Sequence, residues 1–306
     1  MSKLKIIFMG TPAFGVPILE ELIKNYDVVA VVCQPDRGVL SPIKKLAIEN
    51  KIEVYQPEKI KEDYEFILKL KPDLIVTCAF GQIINWDIIK APKYGCINVH
   101  ASLLPKLRGG APIHRAIING DYKTGITIMK MVERLDAGPI LTQREIPIEE
   151  TDNVGILHNK LSLLGKELLM ETIPLLVEGK ITPKIQEETG ATFASNIKRE
   201  DEKIDFSKSS RQVFNLIRGL NPFPGAYTIL ETKIIKVWNS RIGTNFYFDK
   251  HYGEIVAIYD DGIGVKTENG EIIITELQME GKTRMFAKDF LNGLRDPKLL
   301  LGKLFD

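Results

Sequence analysis

The stretch GCINVHASLLPKLRGGAP, residues 95–112, indicates how the first half of the chain is built and where its polar side chains gather. The run GCINVH has the composition of a buried strand, and side chains two residues apart on a strand point to the same side. Asn98 and His100 therefore share one side of the strand, and Ile97 and Val99 share the other. A packed core needs neither an Asn nor a His here, so the strand is expected to end in a functional site.

The rest of the first half alternates short apolar runs with helical patterns. Val/Ile-rich strands separated by helices are typical of a parallel sheet that is covered on both faces. We therefore predict an α/β, Rossmann-like domain whose ligands bind at the carboxyl ends of its strands. Strands are expected at residues 5–10, 28–33, 54–57, 74–79, 95–100, 124–131 and 139–148.

The pattern changes after a long amphipathic helix that we expect over residues 152–178. Short strands and regular turns follow, including a hairpin turn at Asn269-Gly270, and they predict a small OB-like β-barrel. The polar run between the helix and the strands has no long apolar period and is typical of a linker. The predicted bounds are 1–185 for the first domain, 186–203 for the linker and 204–306 for the barrel.

Composition narrows the function classes. The chain has 306 residues, of which 44% are hydrophobic and 26% are charged. Its formal net charge is +1, so the chain lacks the overall positive field that would indicate nucleic-acid binding. No apolar run approaches the roughly 18 residues of a membrane span, so no membrane contact is expected. Neither a CxxC pair nor a His/Cys metal spacing occurs, so we expect reduced cysteines and no bound metal. The first residues resemble a strand and turn rather than a signal peptide, which favours a cytoplasmic protein.

A third polar side chain, Asp136, follows the strand expected at 124–131. In a parallel sheet, that loop opens at the same edge as Asn98 and His100. An isolated Asn-x-His would more often cap a loop than catalyse a reaction. Together the three favour acyl transfer without an enzyme nucleophile: Asn can stabilise an oxyanion by roughly 3 kcal/mol, His can move a proton, and Asp can orient the His.

Motifs along nearly the whole chain resemble those of the folate-dependent formyltransferases. They comprise FMGTP (8–12), QPDR (34–37), GCINVH (95–100), SLLP (102–105), RGGAPIHRAI (108–117), LDAGPIL (135–141), NPFPGA (221–226) and KVWNS (236–240). Within this family the chain most resembles the members that formylate methionine esterified to initiator tRNA.

The resemblance implies a reaction and a set of site residues. The formyl donor would be 10-formyltetrahydrofolate, the acceptor would be methionyl-initiator tRNA, and the barrel would bind the tRNA. Asn98, His100 and Asp136 match the catalytic residues: Asn98 and protonated His100 would stabilise the oxyanion, and Asp136 would support His100. Residues matching or adjoining the folate site are Ser102, Leu103, Leu104, Pro105, Phe80, Gly81, Gln82 and Ile83. The expected setting is a monomer in a bacterial cytoplasm.

One segment departs from the family pattern and keeps other functions open. Only Gly38-Val39-Leu40 joins Arg37, a candidate tRNA contact, to Ser41, where the family usually has a longer Gly/Lys/Arg-rich loop. A short loop offers few charges to RNA phosphates. One alternative is a formyltransferase acting on a small amine, such as an amino-sugar nucleotide. Another is a non-catalytic protein that binds RNA through the barrel.

Overall fold

The computed structural model describes residues 3–306, which fall into two compact units. The first comprises the described residues up to Pro112, Lys123–Pro147 and His158–Asn196, and the second comprises Ile113–Tyr122, Ile148–Leu157 and Ile197–Asp306. Within the described residues, every helix is too short or too polar to cross a membrane.

A seven-stranded sheet forms the first unit, in the order β3-β2-β1-β4-β5-β6-β7. Its strands are β1 Lys5–Gly10, β2 Asp27–Val32, β3 Val54–Tyr55, β4 Leu74–Cys78, β5 Cys96–His100, β6 Lys123–Lys130 and β7 Ile140–Pro147. The helices up to the second unit are α1 Val16–Asn25, α2 Pro42–Glu49, α3 Glu65–Leu70, α4 Trp86–Lys90, α5 Pro112–Ile118 and α6 Val154–Val177; the last two contribute residues to both units. The α/β prediction is confirmed, and the five strands β1 to β5 run parallel to one another.

The last two strands of this sheet run the other way. β6 is antiparallel to β5 and to β7, so the expectation that the strand before Asp136 is parallel is wrong. The physical reason lies in the connections. Most of α5, which lies between β5 and β6 in the chain, belongs to the second unit. Residues 131–139 alone join β6 to β7, and a parallel return would need a dozen or more residues.

The apolar side chains of β5 show which side of this strand faces the helix α6. Val99 faces α6, where a Cβ added at Gly165 would lie only 3.0 Å from Val99 Cγ1. Glycine at this position lets the helix approach the sheet closely. Because neighbouring side chains alternate, Asn98 and His100 point to the opposite side, as the sequence predicts.

Residues 186–196, expected to form part of a linker, lie within the first unit. Arg108 N donates to the Thr192 carbonyl at 2.9 Å, and Ala194 N donates to the Arg108 carbonyl at 2.7 Å. Gln186 is only 5% exposed. Most of the segment is exposed, but Gln186 and the backbone of residues 192–194 bind the first unit, and composition alone does not reveal this attachment.

The second unit is built on an antiparallel sheet in the order β10-β11-β12-β9-β8, with β13 paired to β12. Its elements are α7 Ser210–Gly219, β8 Ala226–Leu230, β9 Lys233–Ile242, β10 Ile255–Tyr259, β11 Gly262–Thr267, β12 Gly270–Met279, β13 Met285–Phe286 and α8 Ala287–Asn292. Bridges from Phe305 to Leu230 and from Leu304 to Glu254 join the two edges of the sheet. This closure gives the small barrel that the short strands predict.

Candidate active site

Asn98 lies near the carboxyl end of β5, beside Thr77 of β4. The Thr77 hydroxyl is 2.8 Å from Asn98 Oδ1 and 3.2 Å from the Ile97 carbonyl. A hydroxyl that donates to Oδ1 fixes which end of the amide faces β4. The Asn98 Nδ2 group is then directed away from Thr77 and can donate to a ligand.

The His100 ring is buried, and each of its nitrogens faces a different group. Nε2 is 3.0 Å from the Leu107 carbonyl, and Nδ1 is 3.7 Å from Asp136 Oδ2. A carbonyl only accepts hydrogen bonds, so Nε2 carries a proton. The Leu107 carbonyl therefore sets the tautomer of His100, while Asp136 faces the other ring nitrogen. Nδ1 is the nitrogen that can exchange a proton beside the carboxylate.

Asp136 reaches His100 although β6 runs antiparallel to β5. Its Oδ2 accepts from Gly109 N at 2.8 Å, which ties the carboxylate to the RGG segment after β5. Its backbone has φ of 48°, in the left-handed region that L residues rarely adopt. The loop between β6 and β7 thus places Asp136 by folding back, not by opening at the carboxyl edge of a parallel strand.

The segment from Ser102 to Pro105 follows β5 directly and is held in place by β6 and β7. Thr127 Oγ1 donates to the Ser102 carbonyl at 2.7 Å and accepts from Leu104 N at 3.1 Å. Gln143 Nε2 donates to the Leu104 carbonyl and to Thr127 Oγ1, both at 2.8 Å. Ser102 and Leu104 are buried, whereas Leu103 and Pro105 are partly exposed and remain accessible to a ligand.

The segment from Phe80 to Ile83 follows β4, the parallel neighbour of β5. The Phe80 side chain is buried, and its carbonyl accepts from Gln34 Nε2 at 2.9 Å. Gln82 is also engaged, since its side chain accepts from Ile60 N at 2.8 Å and donates to the Pro57 carbonyl at 3.1 Å. Gly81 and Ile83 are exposed and are the members of this segment most open to a ligand.

Arg37 is not part of this cluster. It is exposed and follows β2, which β1 and β4 separate from β5. The structure therefore brings the three candidate catalytic residues together and places the two candidate folate segments after adjacent strands, but it leaves Arg37 two strands farther along the sheet.

Four supporting residues escaped the sequence analysis: Thr77, Arg108, Gln143 and Gln186. Arg108 lies within the quoted RGG motif, and its charge gave no sign that it is buried to 1% exposure. Gln186 lies in the polar run that predicted a linker. The sequence signal for such residues is a polar side chain in an apolar run or close to a quoted motif. This signal is weak, because the sequence does not show which hydrogen bonds the side chain makes in the fold.

The cysteines nearest the site are poor nucleophiles. Cys78 and Cys96 are buried, and burial raises the pKa of each thiol well above its ordinary value. A neutral thiol is a much weaker nucleophile than a thiolate. Among residues 3–306, no group of three or more His, Cys, Asp or Glu side chains is arranged to hold a metal ion.

Asn98 and His100 at the end of β5, with Asp136 brought beside His100 by the β6–β7 loop, give a mostly parallel sheet a polar cluster suited to group transfer without a protein nucleophile. A family model described as Formyl transferase matches residues 3–173, and a second, described as Formyl transferase, C-terminal domain, matches residues 196–295. The chain belongs to the formyl transferase family. The predicted family is confirmed.

Relatives and solved structures agree with this membership. The methionyl-tRNA formyltransferase of Bacillus cytotoxicus is 55% identical over 304 residues, which cover 95% of this chain and 96% of that protein. An N-formyltransferase from Helicobacter canadensis, solved with folinic acid and dTDP-3-aminofucose, has a TM-score of 0.68 at 23% identity and covers 90% and 99% of the two chains. HypX from Aquifex aeolicus, solved with tetrahydrofolic acid, has a TM-score of 0.65 at 18% identity and covers 96% and 49%. The two structures share the fold of this chain.

Proposed function

We propose that this protein transfers the formyl group of 10-formyltetrahydrofolate to the α-amino group of methionyl-initiator tRNA. The observation that carries the chemistry is the cluster at the end of β5, where His100 Nδ1 lies 3.7 Å from Asp136 and Asn98 lies two residues before His100. The 55% identity to a methionyl-tRNA formyltransferase over nearly the whole chain supports the acceptor.

The donor set fits a formyl group. An amide N–H and an imidazole can both hydrogen-bond a carbonyl oxygen, and neither needs a metal to do so. Asn98 donates from Nδ2 to the oxygen of the formyl group, because Thr77 holds its Oδ1 on the other side. As the amine adds to the formyl carbon, negative charge develops on that oxygen and this hydrogen bond strengthens.

His100 and Asp136 stabilise the developing charge and transfer the proton of the attacking amine. Protonated His100 donates from Nδ1, since Nε2 is already bonded to the Leu107 carbonyl. The Asp136 carboxylate, 3.7 Å away, stabilises the positive ring. Because His100 then carries a proton on each nitrogen, the Asp136 carboxylate takes up the proton that the amine loses as the new C–N bond forms, and this proton passes to the folate nitrogen as the bond between that nitrogen and the formyl carbon breaks.

The two segments after β4 and β5 hold the folate. Ser102 to Pro105 form one wall, with Leu103 and Pro105 presented to the ligand. Phe80 to Ile83 form the other, with Gly81 allowing close approach, since its φ of 79° and a Cβ only 2.4 Å from Gln34 Nε2 disfavour a side chain there.

The barrel of the second unit binds the tRNA, and Arg37 contributes a phosphate contact. We further propose that the protein acts as a monomer in the bacterial cytoplasm. With few basic residues in the 37–41 segment, the barrel supplies most of the affinity for RNA.

The test is a formyl-transfer assay with 10-formyltetrahydrofolate and three acceptors: methionyl-initiator tRNA, uncharged initiator tRNA and an amino-sugar nucleotide. Formylation of the charged tRNA alone is the expected result. Preferential formylation of the sugar nucleotide would replace the proposed acceptor with a small amine. Binding of RNA without transfer to any acceptor would contradict the enzymatic function.

A further inference from the structure

Arg108 is the largest fully buried side chain among the described residues, and its N–H donors are satisfied by a neutral amide on one side and a carboxylate on the other. Its Nε and Nη2 donate to Gln186 Oε1 at 3.1 and 2.8 Å. Its Nη1 and Nη2 donate to the two carboxylate oxygens of Glu188 at 3.2 and 3.1 Å. A buried guanidinium is costly unless its donors are satisfied, so the positions of these partners are strongly constrained.

The other end of the Gln186 amide faces the loop that carries Asp136. Gln186 Nε2 donates to the Asp136 carbonyl at 2.8 Å and to the Gly138 carbonyl at 2.7 Å. Because a guanidinium offers only donors, Arg108 requires Oε1 on its own side and so directs Nε2 toward the loop. The Arg108 guanidinium therefore determines which end of the Gln186 amide faces the loop.

The conformation of the 131–139 loop explains why it needs hydrogen bonds from Gln186. Asp136 holds a φ of 48°, a conformation that costs an L residue roughly 1–2 kcal/mol. Leu135 and Arg134, beside Asp136, are exposed, and on that side the loop is held by the ion pair between Arg134 and Glu188, which solvent screens. At Gly138 the backbone approaches Lys130 so closely that an added Cβ would lie 1.7 Å from the Lys130 carbonyl oxygen.

We propose that Gln186, oriented by Arg108, is a positioning residue that holds the Asp136 backbone so that its carboxylate stays beside His100 Nδ1. The residue after Arg108 completes the arrangement, because Gly109 N donates to Asp136 Oδ2 at 2.8 Å. The Arg108-Gly109 pair thus secures Asp136 twice: through Gln186 at the backbone and directly at the carboxylate. This inference rests on the proposed role of Asp136 in formyl transfer.

The deciding variant is Gln186→Glu. A carboxylate keeps the size of the side chain and keeps the acceptor for Arg108, but it removes both N–H donors and faces two carbonyl oxygens. If Gln186 only accepted the hydrogen bonds of Arg108, this change would be harmless. Since a displacement of about 1 Å at a catalytic group can cost up to about 100-fold, we expect kcat to fall about 10-fold to 100-fold, with the KM for 10-formyltetrahydrofolate within about threefold of wild type.

Gln143→Glu is the matched comparison, because Gln143 also donates through Nε2 to a carbonyl, that of Leu104 in the candidate folate segment. For Gln143→Glu we expect the opposite result: the KM for 10-formyltetrahydrofolate rises, and kcat changes less than in Gln186→Glu. Equal kcat and KM changes in the two variants would overturn the positioning role, as would Gln186→Glu with wild-type kcat.

A second readout does not depend on activity. Hydrogen–deuterium exchange of the peptide spanning residues 131–139 is expected to accelerate in Gln186→Glu and not in Gln143→Glu. Unchanged exchange in Gln186→Glu would overturn the inference. A wild-type protein that formylates no acceptor would contradict the proposed function instead, and the exchange measurement would still decide whether Gln186 holds the loop.

Discussion

The two segments that flank His100 are held by similar groups but come from different parts of the chain. Residues 102–105, which follow His100, are held by Thr127 and Gln143 of the adjacent strands β6 and β7. The 131–139 loop, which brings Asp136 to His100, is held by Gln186 from a segment far along the chain. In each case a glutamine N–H secures a backbone carbonyl beside the site.

We expect the two kinds of support to affect different steps: one affects folate binding and the other affects the rate of formyl transfer. The support from β6 and β7 fixes a segment whose proposed role is to hold folate, so weakening it should change affinity. The support from Gln186 fixes a charged group beside a proton-carrying ring, so weakening it should change the rate. The following substitutions test this division, starting with the largest expected effect.

Asp136→Asn removes the charge from the 131–139 loop while leaving an oxygen for Gly109 N. Loss of a group that assists proton transfer typically costs 100-fold to 10,000-fold, and we expect a fall in kcat of about that size. Binding of a folate analogue, measured by titration calorimetry, should stay close to wild type. A kcat within about tenfold of wild type would remove Asp136 from the chemistry.

Thr127→Val removes the hydroxyl that bridges Ser102 and Leu104. Leaving buried polar groups unpaired costs about 1–3 kcal/mol, so the free energy of unfolding in urea should fall by that amount and the folate KM should rise. Thr124→Val on the same strand is the control. Among the described residues, Thr124 Oγ1 is buried without a hydrogen-bond partner, so this change should be neutral or stabilising. Similar losses in the two variants would contradict the assignment.

Thr77→Val tests the orientation of the Asn98 amide. Loss of one neutral hydrogen bond is worth about 1 kcal/mol, so kcat should fall by about fivefold with little change in melting temperature. Thr77→Ser keeps the hydroxyl and should restore the rate. If serine fails to rescue, the effect comes from packing of the threonine methyl group and not from the hydrogen bond.

Glu188→Gln is expected to have the smallest effect. Hydrogen bonds from Arg108 and then Arg134 hold the pKa of Glu188 below its usual value. The stabilisation is therefore present above the unfolded-state pKa and is lost as pH falls through the lowered folded-state value. Glu188 is half exposed, so solvent screens the pair, but it is the charged partner of the buried Arg108. Stability near neutral pH should therefore fall slightly in Glu188→Gln, whereas kcat should match wild type.

Denaturation curves from about pH 7 down to about pH 3 should show any small stability difference between wild type and Glu188→Gln disappearing at the acid end. A difference that grows toward low pH would contradict the sign of the pKa shift. A large loss of kcat near neutral pH would show that Glu188, and not Gln186, is the partner of Arg108 that the loop depends on.

Sequence reasoning identified the elements that local pattern determines. The hairpin turn expected at Asn269-Gly270 lies between β11 and β12, with Thr267 paired to Gly270. The alternation on β5 correctly put Asn98 and His100 on one side. These features depend on a few adjacent residues, so a short stretch of sequence is enough to predict them.

The remaining features depend on partners that are distant in sequence. The direction of β6 depends on the path of the chain between β5 and β6, most of which belongs to the second unit, and composition says nothing about that path. The tautomer of His100 is set by a main-chain carbonyl at Leu107, which every residue type offers alike. Gln186 looked like a solvated linker residue because its partners, Arg108 and two loop carbonyls, become visible only in the fold.

The most direct measurement is a single-turnover assay of formyl transfer from 10-formyltetrahydrofolate to methionyl-initiator tRNA, comparing wild type with His100→Ala. Folate-analogue binding is measured on the same samples. The account predicts transfer by wild type, a rate at least about 100-fold lower in the variant, and similar folate binding by both. Equal rates in the two proteins would contradict the assignment of the chemistry to the Asn98, His100 and Asp136 cluster.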